Sequence, residues 1–514
     1  MLGRLLVVAG GAGLYALALP PFDCAALAWL TLVPLLVVVR PRRAAHAFGY
    51  GAVYGFVMGW AITWWLAQAV AAYFGEGLLR GGLAMSAAYV VAVSSTVGIF
   101  AAGATVLLRS WPGIVGQLAV AALWVVIETV RARLVAQPWA LLGYSQYQHT
   151  ALIQVAAVTG VYGVSFLLVL GNVALAEAVR ALRVGVAWPQ VARGLAVPVG
   201  LTAAVWLAGA GVMHGGGETP SVMRDVAVVQ SNVPPAFEWT RGYAEHQLIT
   251  TMRLTDAQVT GDPALIVWPE NALTLYLEHE PYLGRELGKL TARHRADLLL
   301  GGPRYADGHT YNSARLIHPG GSDGGSYDKQ RLVLFAEAPP LEGPVAMDQS
   351  ESPRAFTAGH TPGVLQGFVP LGVSICHEIL YPDIVHGAVA QGAQLLVTIA
   401  NDGWLDGGYG VASRQHFAMA TFRAVESHRY LIRAATTGIS GIIDPNGRVL
   451  ISLEPGTVGV ATTKVGGLTT ITPYVRYGDA FGFTCMALVV TVLLRALLPT
   501  PAKSTAPLPA PARM

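Results

Sequence analysis

Three short stretches of this sequence carry residue types that can cooperate in acyl chemistry. The run Leu265-Ile266-Val267-Trp268-Pro269-Glu270-Asn271 places a carboxylate just past a β-rich segment, after a proline that cannot continue a strand ladder. The run Tyr327-Asp328-Lys329-Gln330-Arg331-Leu332 offers a lysine, with Glu337 shortly after it. A third run, Gly372-Val373-Ser374-Ile375-Cys376-His377-Glu378, ends a buried-looking apolar segment in a lone cysteine. A thiol becomes a strong nucleophile only as thiolate, so it needs a base or a positive environment. A carboxylate can take the proton, and a lysine can lower the thiol pKa and face the oxyanion of a tetrahedral intermediate. Each residue also has an ordinary reading by itself. A cysteine at a strand end packs as a small hydrophobe, a glutamate after Trp-Pro sits in a turn, and Lys329 beside Asp328 forms an exposed pair. Spacing alone does not bring the three together.

From residue 226 to about 467 the pattern alternates β-rich and helical runs. Strands are expected at Val226–Val233, Leu265–Trp268, Asp297–Gly301, Ala314–His318, Gly372–Ile375, Gln394–Ile399, Tyr430–Ala435, Gly441–Ile443 and Arg448–Ser452. Helices are expected at Tyr243–Val259, Tyr282–His294, Pro382–Gln391 and Ala412–Ser427. Such alternation reads as an α/β domain whose sheets are covered by helices. Asp444-Pro445-Asn446-Gly447 reads as a hairpin turn.

The rest of the chain is of another kind. Charged residues make up 12% of the 514 and apolar ones 53%, with a mean hydropathy of +0.49; soluble domains carry about 25% charge. A disordered or nucleic-acid-binding protein is excluded by that shortage of charge. Residues 1–213 hold 11 Arg, no Lys and 4 acids, whereas residues 214–480 hold 19 basic and 26 acidic residues. A sparsely charged membrane part and a slightly acidic water-facing domain therefore share one chain. Crossing the hydrocarbon takes roughly 20 apolar residues. Runs at 46–72, 82–108, 113–132, 151–180, 193–213 and 479–498 qualify, and 4–19 with 24–40 form a shorter pair joined by Pro20-Pro21. Arg4 and the small residues near Ala18 also suit a leader peptide, but further apolar runs follow so closely that a membrane helix is the better reading. The count is about eight helices, seven in residues 1–213 and one at 479–498, with a Pro/Ala-rich disordered tail at 499–514. Arg40, Arg42, Arg43, Arg109, Arg180, Arg183 and Arg193 favour cytoplasmic termini, which puts the α/β domain outside the membrane. Arg131 and Arg133 fall on the wrong side for that rule. Cys376 is the only cysteine of the α/β domain, so no disulfide forms within it.

Taken together, VWPEN around Glu270, YDK at Lys329 and SICHE at Cys376 resemble the Glu-Lys-Cys triad of the nitrilase superfamily. Within it the chain is similar to the apolipoprotein N-acyltransferase family of bacterial membrane enzymes. The further stretches that carry the resemblance are VVQSNVPPAFEW (228–239), TYNSARLI (310–317), ANDGW (400–404), RQHFAMATFRAVESHRYLIRAATTGISGIIDPNGRV (414–449) and, in the membrane part, QPWALLGYSQ (137–146).

The resemblance implies a multi-pass helical membrane domain plus a nitrilase-like αββα sandwich over 226–467. It also implies a two-step transfer in the inner membrane. Glu270 would take the Cys376 proton, and Lys329 with the backbone N–H of His377 would hold the oxyanion. The acyl chain of a membrane phospholipid would pass through a Cys376 thioester to the α-amino group of a diacylated apolipoprotein. Glu337 and Glu378 match glutamates flanking the triad; Trp239, Asn312 and Trp404 match positions lining the site or its rim. Expected partners are the phospholipid donor, the lipoprotein acceptor and the bilayer, acting on a monomer, with no metal, cofactor or nucleic acid. Two departures stand beside the nucleophile. The family's Pro-Phe-Gly-Glu is Leu334-Phe335-Ala336-Glu337 here, followed by Ala338-Pro339-Pro340, and its tyrosine after the cysteine is His377. That histidine either titrates near neutrality or fills the tyrosine's space. The alternatives are a membrane-bound nitrilase-type amidase and a silent lipoprotein-binding protein.

Overall fold

The computed structural model describes residues 1–73, 77–133, 138–220, 222–236, 239–333, 336–338, 356–406 and 410–497. The tail expected at 499–514 lies outside them, as do Gln137, Leu334, Phe335, Pro339 and Pro340.

The apolar first part folds as helices α1 Leu2–Ala18, α2 Val33–Val39, α3 Ala44–Thr63, α4 Leu66–Tyr73, α5 Leu78–Tyr89, α6 Ser95–Ser110, α7 Ile114–Arg133, α8 Val161–Arg183 and α9 Trp188–His214. A π-helical stretch, Val90–Ser94, joins α5 and α6 into one 33-residue length. That length, α7, α8 and α9 are each long and apolar enough to cross a membrane. Two of the expected runs are interrupted. The run 46–72 breaks after Thr63, which turns Trp65 inward against Trp139 at 5.5 Å between ring centroids. The run 151–180 breaks at Gly160, whose φ is +64°. A Cβ there would stand 2.4 Å from the ring of Tyr474, so only glycine fits the corner.

The second part is two six-stranded sheets face to face. The strands are β1 Met223–Gln230, β2 Leu265–Val267, β3 Asp297–Ala306, β4 His309–Ile317, β5 Asp323–Asp328, β6 Val364–Gln366, β7 Pro370–Ile375, β8 Leu395–Ala400, β9 Leu431–Ala435, β10 Ser440–Ile443, β11 Val449–Leu453 and β12 Gly459–Gly466. Their orders are β12-β1-β2-β3-β4-β5 and β11-β10-β9-β8-β7-β6. Central strands β1–β3 and β7–β9 run parallel. Val226, Val228, Val267 and Leu299 meet Val373, Ile375, Val397 and Ile432 between the sheets. The alternate residues Ala227, Val229, Ile266 and Leu298 pack with Leu248, Leu287 and Leu290 of α10 Arg241–Gln258 and α11 Pro281–His294. Burial on both faces is why these strands read as unbroken apolar runs. Strands β5, β6 and β12 escaped the pattern, because DGGSYD and GVATTKVG are glycine-rich and β6 has only three residues.

Helices α12 Pro382–Ala390 and α13 Val411–Ser427 cover the second sheet, completing the αββα layers. Every residue of α13 except Arg414 is buried. Its outer face meets the membrane part instead of water, with Phe417, Met419, Phe422 and Val425 in one core with Tyr144, Ile153 and Val161. The last helix, α14 Ala480–Leu497, returns along α7.

The basic residues sort by end of the bundle. Arg40 pairs with Glu177 at 2.9 Å, and Arg109 donates to the carbonyl of Arg42, so the basic ends of α2, α6 and α8 lie together. The two exceptions sit at the far end of α7 and are used internally. Arg131 is 4% exposed and donates to the carbonyl of Trp139 at 3.3 Å. Arg133 pairs with Asp479 at 2.7 Å and with Asp383 at 3.3 Å.

Candidate active site

Glu270, Lys329 and Cys376 follow the carboxyl ends of β2, β5 and β7, where loops replace the ladders. Proline 269 ends the pairing of β2, and the backbone turns through Asn271 at φ +54°. Gly301 of β3 permits that turn: a Cβ there would lie 2.6 Å from Glu270 Cα. The Glu270 carboxylate is held on every side. Its Oε1 accepts from Asn312 Nδ2 at 2.8 Å and Lys329 Nζ at 3.2 Å, and its Oε2 accepts from the Asn401 backbone N–H at 2.8 Å.

Glu337 faces the same pair from the other side, with its Oε1 2.8 Å from Lys329 Nζ and 2.8 Å from Asn312 Nδ2. Lys329 is thus 1% exposed between two carboxylates. Burial alone would push its ammonium pKa down; Glu270 and Glu337 outweigh that and hold it above the ordinary lysine range.

Cys376 follows the last residue of β7 with φ +58°, a conformation that costs on the order of 1–3 kcal/mol in a non-glycine residue and needs surrounding structure to hold it. Glu378 supplies much of that hold. Its carboxylate accepts from the backbone N–H groups of Ile375 at 2.8 Å, Gln330 at 2.7 Å and Arg331 at 3.0 Å, and from Tyr327 OH at 2.9 Å. One buried side chain therefore ties the cysteine loop to the lysine loop. Burial pushes its carboxyl up to about 6 against those donors.

Lysine was expected to lower the thiol pKa. Lys329 does pull it down, but burial and the Glu270 charge push harder, and the thiol stands well above its ordinary value. A thiol whose pKa is raised in this way needs a base to become a nucleophile. His377 is driven well below its usual pKa by burial and then by Lys329, so it stays neutral and occupies space beside the thiol.

Asn312, matched by resemblance to a position lining the site or its rim, bridges both carboxylates. Trp239 is half-buried ahead of α10. Trp404, on a helical turn after β8, packs with Leu405, Val411, Trp65 and Trp139, joining the domain to the membrane part.

A further set had no assigned role in the sequence. Behind Asn401, Asp402 accepts from Arg433 at 2.6 Å and bonds His416 Nδ1 at 2.8 Å, all three being buried. Burial works to raise the Asp402 carboxyl, and Arg433 with His416 holds it well below the carboxylate range. The His416 ring lies 4.7 Å from that of Trp139. Trp139 donates to Gln415 at 2.6 Å, and Gln415 donates to the carbonyls of Pro20 and Ile62, both at 3.1 Å. A continuous chain of contacts runs from the membrane helices to the backbone N–H that holds Glu270. The stretches ANDGW and RQHF contained these residues, but only the fold puts them behind the carboxylate.

Two family models match the chain. The one described as apolipoprotein N-acyltransferase N-terminal domain covers residues 11–174, and the one described as carbon-nitrogen hydrolase covers residues 225–471. The chain is 32% identical over 494 residues to the apolipoprotein N-acyltransferase of Geobacter metallireducens, covering 92% of this chain and 91% of that one. It is 32% identical over 510 residues to that of Pseudomonas syringae pv. tomato, covering 96% and 97%. With that of Azotobacter vinelandii it shares 32% identity over 532 residues, covering 99% and 97%.

Proposed function

The chain belongs to the apolipoprotein N-acyltransferase family, and on that premise we propose that it N-acylates lipoproteins through a thioester on Cys376. The observation that carries this reading is the buried ammonium of Lys329 between Glu270 and Glu337, within electrostatic reach of a protonated Cys376. In the first half-reaction Glu270 takes the Sγ proton as sulfur attacks an ester carbonyl of a membrane phospholipid. Lys329 and the N–H of His377 steady the oxyanion. The C–O bond then breaks, the departing alkoxide receives the proton from Glu270, and a lysophospholipid leaves. In the second half-reaction the α-amino group of a diacylglyceryl-cysteine attacks the thioester. Glu270 takes an amine proton, the C–S bond breaks, and the proton returns to sulfur. Donor and acceptor occupy the site in turn, which is ping-pong kinetics.

Both substrates keep their acyl chains in the bilayer, so the site must open at its surface. The contacts of Trp65 and Trp139 with the domain beside Trp404 support that placement. The basic ends of α2, α6 and α8 lie at the other end of the bundle, which supports a catalytic domain on the extracytoplasmic face and cytoplasmic termini.

The test is to incubate purified protein with phospholipid alone and weigh it. Cys376 should gain one acyl chain, removable by neutral hydroxylamine, and a diacylated lipopeptide added next should take that chain onto its amine. Cys376→Ser should do neither. Steady release of fatty acid with an unmodified peptide would instead mark a hydrolase.

A further inference from the structure

Arg133 stands against the charge asymmetry of the membrane part, and its partner in the catalytic domain suggests what it is for. It ends α7, where that helix meets the α/β domain. Its Nε is held by the buried Asp479 at 2.7 Å, which leaves Nη1 3.3 Å from Asp383 Oδ1, and Arg331 Nη2 is 3.0 Å from Asp383 Oδ2. One carboxylate is shared by two guanidiniums, yet Arg133 and Arg331 remain 41% and 53% exposed. Arg331 also belongs to the nucleophile's surroundings. Its backbone N–H is bonded to Glu378, and its guanidinium lies 5.5 Å over the ring of Tyr381. Tyr381 in turn packs edge-on at 5.7 Å against His377, the neighbour of Cys376.

This inference rests on the transfer reading above. A phospholipid that offers its ester carbonyl to Cys376 carries its phosphodiester one glycerol unit away, toward the headgroup layer. Lys329 cannot meet that charge, because it is 1% exposed. Arginine forks on either side of an anion match two phosphate oxygens as well as they match Asp383.

We propose that Arg331 and Arg133 form a subsite for the phosphodiester of the acyl donor, with the Asp383 carboxylate as its resident competitor. Donor selection then follows from charge: a phosphodiester displaces Asp383 from the exposed guanidiniums, whereas an uncharged ester gains nothing there.

The experiment compares two donors on the full-length protein in detergent, reading acyl-Cys376 by intact mass. One donor is phosphatidylglycerol with palmitoyl chains; the other is p-nitrophenyl palmitate, which has the chain and no phosphate. In Arg331→Gln the ratio of phosphatidylglycerol to p-nitrophenyl ester acylation rates should fall at least tenfold, and Arg331→Lys should recover only part of it. Asp383→Asn should move the other way, lowering the phosphatidylglycerol concentration at half-saturation by threefold or more. An unchanged ratio in Arg331→Gln would overturn the proposal. So would Asp383→Asn losing phospholipid acylation in step with Arg331→Gln, since that pattern marks a pair that only joins two segments. If wild-type protein is labelled by neither donor, the transfer reading falls and takes this one with it; labelling by both with an unchanged ratio removes only the phosphate subsite.

Discussion

Gly301→Ala tests whether the placement of Glu270 limits the chemistry. The residue sits inside β3, paired with Ala314, where alanine would ordinarily be the better choice by about 0.5–1 kcal/mol. Only the crowding decides against it. The added Cβ would lie 2.6 Å from Glu270 Cα, 2.8 Å from the Pro269 carbonyl oxygen and 2.8 Å from Ile399 Cδ1. Ile399 can rotate away, but the other two atoms are backbone. They are pinned by Trp268 N–H to the Leu299 carbonyl at 2.8 Å and by Gly301 N–H to the Pro269 carbonyl at 3.2 Å. Restoring an ordinary carbon contact of 3.4 Å moves the Glu270 backbone by about 0.8 Å, since carbon pairs repel steeply below roughly 3.5 Å. That is enough to strain its bonds to Lys329 and the Asn401 N–H. Misplacement on this scale costs on the order of 100-fold in rate, and overpacking costs about 1–3 kcal/mol of stability. The assay is the rate of acyl-Cys376 formation from excess phospholipid, with thermal unfolding measured alongside. Gly284→Ala on α11 is the control, because nothing lies within 4 Å of its Cβ; it should keep the wild-type rate and gain up to about 1 kcal/mol. A Gly301→Ala enzyme within threefold of wild type would refute the argument.

Lys329→Ala should lower turnover about 100–1000-fold, the scale for one lost oxyanion donor, and Lys329→Arg should recover little because a planar guanidinium cannot sit between Glu270 and Glu337; more than half the wild-type rate in the arginine variant would contradict this. Glu378 ionises at its ordinary value of 4.5 when unfolded and at about 6 when folded, so its stabilising share is full below pH 4.5 and is lost as pH rises through 6. Unfolding temperatures of Glu378→Gln measured across that window should show a flatter fall than wild type. A protease site inserted at Gly261, in an exposed turn between α10 and β2, should be cut from outside the inner membrane, while a reporter after Met514 should be cytoplasmic; both on one face would overturn the proposed topology.

Much of the architecture was legible because burial leaves a trace in composition. Strands enclosed on both faces are mostly apolar, so β1, β7, β8 and β9 stood out, and helices α10 to α13 fell within two residues of expectation. The long apolar runs of the membrane part were equally plain, since hydrocarbon tolerates few charges. Edge strands β5, β6 and β12 left no such trace, because one-sided pairing tolerates glycine and short length. Glu270, Lys329 and Cys376 were singled out by residue type and by resemblance, yet nothing in their spacing of about fifty residues could show that their charges act on one another. Tertiary structure alone decided that Lys329 lies between two carboxylates, that burial pushes the thiol pKa up, and that Asn312 bridges Glu270 to Glu337. It also decided that Asp402, His416 and Trp139 connect the membrane seat to the carboxylate. The reason is physical: residue type fixes which bonds a side chain can make, whereas burial and long-range pairing fix which of them it does make, and those depend on strands and helices far apart in the chain.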